Sequence, residues 1–403
     1  MIIVCEKCLK SYNLDENVVK EDGSKVSCSR CAHSFKVYPP DTDTQSNLEL
    51  EDITISKKEH DIDNTFDKEA HMHKHPDLSI GPAGLDIGTS NIVAALDNGD
   101  LSQQLNAFFT VPESRITKQT LKSNKVNFFT HANKIYVVGN SSQGFANMFN
   151  TNLRRPIQKG FLNSREKIGV DVIKAIVNSI IDKAKVPGQK LCFIVPGEPL
   201  DGAGLSIYHE SVLKKYISSL GYSAISLNEG LATVIAELQD HDYTGIGISM
   251  GGGMCNVCFS YLAVPVVKYS IQKGGDYIDK MTANAVGEAA STIKLIKEEG
   301  INLITDPDDG IVTALQIFYE ELISELIESL KRASGLFFNT LKFPRPLPIV
   351  IGGGTVKPKG FLKLFEKKLE SYLLPIEISE IIIADDPLNT SAKGALKVAI
   401  SEI

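Results

Sequence analysis

From Gly84 onward, short apolar runs alternate with glycine-rich turns and long amphipathic stretches. That mixture predicts strands and helices in alternation, an α/β fold. The clearest helical period lies in 311–330. There Leu315, Phe318, Leu322, Ile323, Leu326, Ile327 and Leu330 share one face, opposite Glu320, Glu321, Glu325 and Glu328. This helix is expected to pack on a core. Two further runs, Leu85 to Leu96 and Ile246 to Cys258, read as strand, tight turn and strand. A third apolar strand, Pro348 to Ile351, ends in Gly352-Gly353-Gly354-Thr355 before a helix around Phe361–Leu369. Residues 39–82 show neither period and are rich in Asp, Glu, Ser, Thr and His. They hold too few apolar side chains to offset ordering entropy, so a disordered acidic linker is expected there.

The chain has 403 residues, 43% hydrophobic and 23% charged, enough for two or three domains with a sizeable core. Its net charge of −7 is concentrated: residues 41–80 carry 4 basic and 11 acidic side chains, residues 1–40 carry 6 and 5. No extended basic surface results, and a nucleic-acid partner is not expected. No apolar run reaches the roughly 18–20 residues of a transmembrane helix, and Met1 to Cys5 lacks a signal-peptide pattern. A soluble cytoplasmic protein is expected.

Four of the seven cysteines fall in residues 1–38, as Cys5-x-x-Cys8 and Cys28-x-x-Cys31 with 19 residues between the pairs. This spacing suits two knuckles that give four thiolates to one tetrahedral Zn2+. A module of this size can barely bury a core, so the metal would supply much of its folding energy. The segment resembles bacterial zinc ribbons. His71, His73 and His75 alternate in the linker and are read as incidental, and Cys192, Cys255 and Cys258 as ordinary buried thiols.

Asp86-Ile87-Gly88-Thr89-Ser90-Asn91 and Ser249-Met250-Gly251-Gly252-Gly253 form the turns of the two strand–turn–strand runs. Facing each other, such hairpins can grip a phosphate chain, because glycines let backbone N–H groups approach the oxygens as an anion nest. An acidic side chain beside the turn can hold waters of a Mg2+ ion. The strand–GGG–helix junction offers a flat floor for an adenine ring and ribose.

In this order the motifs resemble the actin-like ATPase superfamily, specifically the bacterial actins of the MreB and MamK type, over about residues 84–401. Leu227 to Thr233 resembles the first connecting helix with its acidic residue, and Asp385 to Ala395 the last connecting segment. Ile135 to Gly139, Arg155 to Gly160, Gly274 to Asp279 and Ile293-Lys294 also fall in the family's order. The resemblance implies a ribonuclease-H-like, two-domain ATPase fold in 83–403, with halves at about 83–235 and 243–390 and the chain returning to the first. It implies Asp86 holding Mg2+ through water and Gly88, Thr89, Ser90 and Asn91 on the phosphates. Gly251, Gly252 and Gly253 would close from the other side, with Gly352, Gly353 and Gly354 on the adenosine and Lys294 near the ribose. Glu229 would polarise the attacking water. It further implies a cytoskeletal filament that binds ATP and assembles head to tail, with cargo such as magnetosomes among the roles of its members. The zinc ribbon would then recruit a protein partner.

Two positions depart from the family pattern. Ser249 stands where an aspartate is usual, and Met254-Cys255-Asn256 replaces Thr-Thr-Asp. Serine brings no charge, so slow hydrolysis is expected while nucleotide binding persists. A non-polymerising nucleotide-binding scaffold is the competing expectation; a chaperone or sugar-kinase relative fits less well. Metal analysis of protein purified without chelator is expected to find one zinc per chain, and its absence would sink the four-cysteine assignment.

Overall fold

The structure is a computed structural model that describes residues 2–4, 11–13, 24–29, 33–37, 70–72, 81–148, 153–202, 206–307, 309–337, 343 and 345–401. The chain divides into two units, Met1–Asp63 and Asn64–Ile403.

In the first unit, Ile2–Val4 pairs antiparallel with Ser11–Asn13, and Ser24–Ser27 with Ser34–Val37. In the sequence, each CxxC pair begins directly after the first strand of its hairpin. Cys28 is buried, and its N–H donates to the His33 carbonyl at 2.8 Å. Cys5, Cys8 and Cys31 lie outside the described residues, as does most of the expected linker.

The second unit is built on two five-stranded sheets of one topology. In the first, the order is Ser223–Asn228, Lys190–Val195, Ala83–Ile87, Asn91–Leu96 and Leu101–Leu105. In the second it is Ile378–Ile383, Leu347–Gly352, Gly245–Met250, Cys255–Tyr261 and Val264–Ile271. In each, the first three strands in sequence form an antiparallel meander, the fourth adds in parallel to its first strand and the fifth in parallel to the fourth. This is the ribonuclease-H-like arrangement, present twice. The central strands Gly245–Met250 and Leu347–Gly352 are buried at every position, which explains why they read as continuous apolar runs rather than alternating ones.

The helices Glu229–Glu237 and Thr390–Ser401 lie between the sheets. Cys192 and Ile194 from the first sheet, Cys258 and Val350 from the second, and Leu231, Val234, Ala395 and Ala399 from these helices share one buried cluster. The helices cross closely: a Cβ at Gly394 would lie 2.1 Å from the Ala232 carbonyl oxygen. Glycine here gives up about 1 kcal/mol of helix propensity in exchange for that approach. The last helix also packs on Gly84, so the chain ends its path against the sheet where it began.

The predicted amphipathic helix runs from Gly310 to Phe337 and is buried along Leu315, Leu322, Ile323, Leu326, Ile327 and Leu330. Phe318 is only partly buried. Tyr319, one position on, takes the central place and is among the largest fully buried side chains. A small sheet of Phe108–Pro112, Lys134–Val138 and Phe128–His131 is inserted in the first half, beside helix Arg115–Ser123. Within the segment assigned to the linker, Ala70–Met72 are described. There His71 exchanges backbone hydrogen bonds with Phe128 at 2.9 and 3.1 Å and stacks on its ring. An edge strand of this small sheet thereby gains a partner.

Cys192, Cys255 and Cys258 are buried, and burial pushes the Cys258 thiol up to about 12. His209, on helix Ser206–Ser219, is buried edge-on against Phe161. Neither ring nitrogen has a hydrogen-bond partner among the described residues, and burial lowers its pKa to about 4. Its stabilising neutral form is fully effective above the unfolded-state value of about 6.5, and that contribution is lost as pH falls through about 4. Over this window the fold is expected to lose about 3 kcal/mol. Denaturant melts of His209→Leu should show a flatter acid limb; an unchanged slope would assign the acid sensitivity to other groups.

Candidate functional site

The cleft between the halves has a volume of about 640 Å3, and it gathers nearly all of the residues singled out in the sequence. Asp86, Gly88, Thr89, Ser90 and Asn91 line one wall, and Gly251, Gly252 and Gly253 the facing one. Glu229, Lys294, Gly353 and Gly354 complete it. Gly352 is the exception. It lies behind the lining, paired with Ser249 in the sheet.

The two hairpins are built alike. Gly88 N–H donates to the Asn91 carbonyl at 2.9 Å, and Gly251 N–H to the Met254 carbonyl at 3.0 Å. The first glycine of each turn therefore spends its amide on closing the turn. No acceptor for the amides of Thr89, Ser90, Gly252 or Gly253 occurs among the described residues, so these four are the amides available to an anion. Asn106 Nδ2 donates to the Gly88 carbonyl at 2.8 Å and braces the first turn. The hairpins approach so closely that a Cβ at Gly253 would lie 2.3 Å from Thr89 Oγ1 and one at Gly252 2.2 Å from Ser90 Oγ. A side chain at either position would have to displace one of these hydroxyls, and at Gly253 would also press on the Gly160 backbone. Thr89 Oγ1 also accepts from Gly160 N–H at 3.1 Å.

This equivalence places Ser249 in the second hairpin where Asp86 stands in the first. Asp86 pairs across its hairpin with Val93, and Ser249 with Asn256. Both members of the second pair turn to Glu229, the first residue of helix Glu229–Glu237, whose N-cap Asn228 accepts from Leu231 N–H. Ser249 Oγ donates to Glu229 Oε1 at 2.7 Å and Asn256 Nδ2 to Oε2 at 2.5 Å. Asn256 Oδ1 accepts from Gly197 N–H at 2.8 Å, which ties the first half to the same carboxylate. Desolvation raises both Asp86 and Glu229 above the ordinary carboxylate range, with the Glu229 charge adding to the rise at Asp86 and the two hydrogen bonds opposing it at Glu229.

Other ion pairs were not singled out in the sequence. Lys294 lines the cleft but pairs within its helix to Glu298 at 3.7 Å. Lys297, one turn on, is the more deeply fixed lysine, 2.6 Å from Asp279 and 3.1 Å from the Gly275 carbonyl. Burial raises Asp279 even against this lysine. Arg155 reaches across the cleft to Asp276 at 2.7 Å, joining two motifs 121 residues apart. Thr355 Oγ1 donates to the Gly251 carbonyl at 2.9 Å and ties the third glycine turn to the second hairpin.

For a nucleotide, the residues fit: four amides face a cleft of the right size, beside a glycine floor. For Mg2+ they fit less well. Asp86 is the one carboxylate on the hairpins, Ser249 brings no charge, and both oxygens of Glu229 already accept protein donors. No group of three or more His, Cys, Asp or Glu side chains converges as a metal site among the described residues, and none of the described helices is long and apolar enough to cross a membrane.

A family model described as volactin matches residues 82–399, and one described as a zinc-ribbon domain matches residues 1–36. No curated protein matches in sequence. Among solved structures, a MamK double helical filament is similar with TM-score 0.61 at 19% identity, over 79% of this chain and 98% of that chain. MreB 5 of Spiroplasma citri bound to AMPPNP is similar with TM-score 0.57 at 14% identity, over 80% and 97%. The same organism's MreB5 bound to ADP gives 0.53 at 16%, over 80% and 96%. At these identities the likeness establishes the actin-like fold.

Asn256→Leu removes one donor from Glu229 and the acceptor of Gly197. In urea melts it is expected to cost about 2–3 kcal/mol, the penalty of leaving a buried charged group short of a partner; a loss below about 0.5 kcal/mol would show that the bridge carries little.

Proposed function

The chain belongs to the volactin family, and on that premise we propose that residues 83–403 form an ATP-binding actin homologue that assembles head to tail into cytoskeletal filaments. The observation that carries this reading is the pair of equivalent hairpins on facing walls of the cleft, with four amides that have no acceptor among the described residues. In this reading Thr89, Ser90, Gly252 and Gly253 hold the β- and γ-phosphates through backbone N–H groups. Gly353 and Gly354 support the adenosine, and Lys294 and Lys297 stand on the ribose side. Similar folds have been solved as a filament and with ADP and AMPPNP bound, which supports nucleotide binding and self-association here.

Turnover is proposed to be slow. Glu229 is the group placed to polarise an attacking water, and its two hydrogen bonds hold it in a fixed rotamer and draw on its charge. Mg2+ would arrive with the nucleotide and meet Asp86 as its carboxylate contact. The N-terminal segment is proposed to bind one Zn2+ through Cys5, Cys8, Cys28 and Cys31 and to recruit a protein partner or cargo from the end of an acidic tether. Magnetosome positioning, the role suggested by the MamK likeness, is one such cargo function. A cytoplasmic location follows from this reading.

The same clamp on Glu229 favours one alternative, a nucleotide-binding scaffold that does not polymerise. Sedimentation and electron microscopy in Mg-ATP, Mg-ADP and no nucleotide separate the two. ATP-dependent filaments are expected; no pellet in any state, despite measurable nucleotide binding, would overturn the filament reading in favour of the scaffold.

A further inference from the structure

The carboxylates that line the cleft are Asp86, Glu229, Asp276, Asp279 and Glu298. Four of them are already compensated by the protein. Asp276 is held by Arg155, Asp279 by Lys297 and Glu298 by Lys294. Glu229 accepts one donor on each oxygen, from Ser249 and Asn256. Among the described residues, no ion pair or hydrogen bond is found for Asp86.

The internal symmetry makes this arrangement informative. The first hairpin carries a carboxylate at the end of its leading strand, Asp86. The equivalent position of the second hairpin carries Ser249, whose hydroxyl proton is spent on Glu229. A symmetric site with carboxylates at both positions would crowd them against Glu229 and would need a cation to relieve the repulsion. Replacing one by a donor removes its repulsion with Glu229 without a cation and leaves the weaker one between Asp86 and Glu229. Asn256, beside Ser249 in the hairpin register, adds a second neutral donor at the same place. Glu229's share of the charge that a divalent ion would neutralise is met by hydrogen bonds instead, and Asp86 alone is left for a cation.

We propose that the nucleotide site works without a strict divalent-cation requirement, the Ser249–Glu229–Asn256 hydrogen bonds doing internally what a metal ion does between paired carboxylates. The triphosphate is then held chiefly by the hairpin amides, and Mg2+ bound to its phosphates adds little through the protein. This rests on the reading of the cleft as a nucleotide site.

The test is titration calorimetry of the full chain with AMPPNP, in Mg2+ and again in excess EDTA. The two dissociation constants are expected to agree within about threefold. Weakening of about tenfold or more in EDTA would overturn the inference while leaving the nucleotide site standing. Absence of binding in both would overturn the nucleotide reading and this inference with it. Ser249→Asp, which restores the paired carboxylates, should acquire the dependence, binding about tenfold or more weaker in EDTA. A folded Ser249→Asp protein indifferent to EDTA would show that Ser249 is not the cause. The wild-type comparison decides the proposal even if that variant does not fold.

Discussion

The close crossing of the two central helices at Gly394 and Ala232 sets the spacing on which the rest of the second unit depends. Without a side chain at Gly394, the helices share backbone contact, and each can also pack on a sheet. The two sheets then lie at a separation that lets their leading hairpins touch. A wider crossing would part Gly253 from Thr89 and Gly252 from Ser90. The amides proposed to hold the phosphates would no longer share one site. The cost of a helical glycine is small beside that geometric return.

The same crossing fixes the start of helix Glu229–Glu237, and so decides what surrounds the Glu229 carboxylate. Ser249, Asn256 and, through Asn256, Gly197 converge there from both halves. A recessed carboxylate raises the cost of its own charge, and neutral donors on both oxygens offset that cost locally. At the hairpin end of the cleft Asp86 is thus the one carboxylate without a protein donor among the described residues, while the outer cleft is laced by Arg155–Asp276 and Lys297–Asp279. In the proposed nucleotide site, attraction for phosphate would come from backbone dipoles, which need no counter-ion of their own.

Much of this was legible in the chain. A glycine run after an apolar strand signals a close backbone approach wherever it occurs, so Gly88 to Asn91, Gly251 to Gly253 and Gly353-Gly354 could be found locally. Glu229 was legible as the acidic start of a helix. Its partners were not: Ser249 was expected to weaken a metal contact, and its hydroxyl in fact bonds Glu229. That bond depends on which face of one strand meets the first turn of a helix 20 residues earlier in the chain. Lys294 and Lys297 lie one turn apart on one helix and both line the cleft, and only the neighbouring helix, bearing Asp279, gives Lys297 its closer partner. Phe318 and Tyr319 were exchanged, since a period drawn on an ideal helix leaves the exact facing residue to the partner surface.

The sequence by itself therefore determined the elements, the repeated hairpin and the CxxC pairs, because propensity, periodicity and ligand spacing act over a few residues. Tertiary structure alone decided the pairing of Arg155 with Asp276, that of Lys297 with Asp279 and the compensation of Glu229. Those depend on side chains brought together from up to 121 residues apart. Their energies arise only when desolvation and a specific partner act on the same group, and neither condition exists until the halves close.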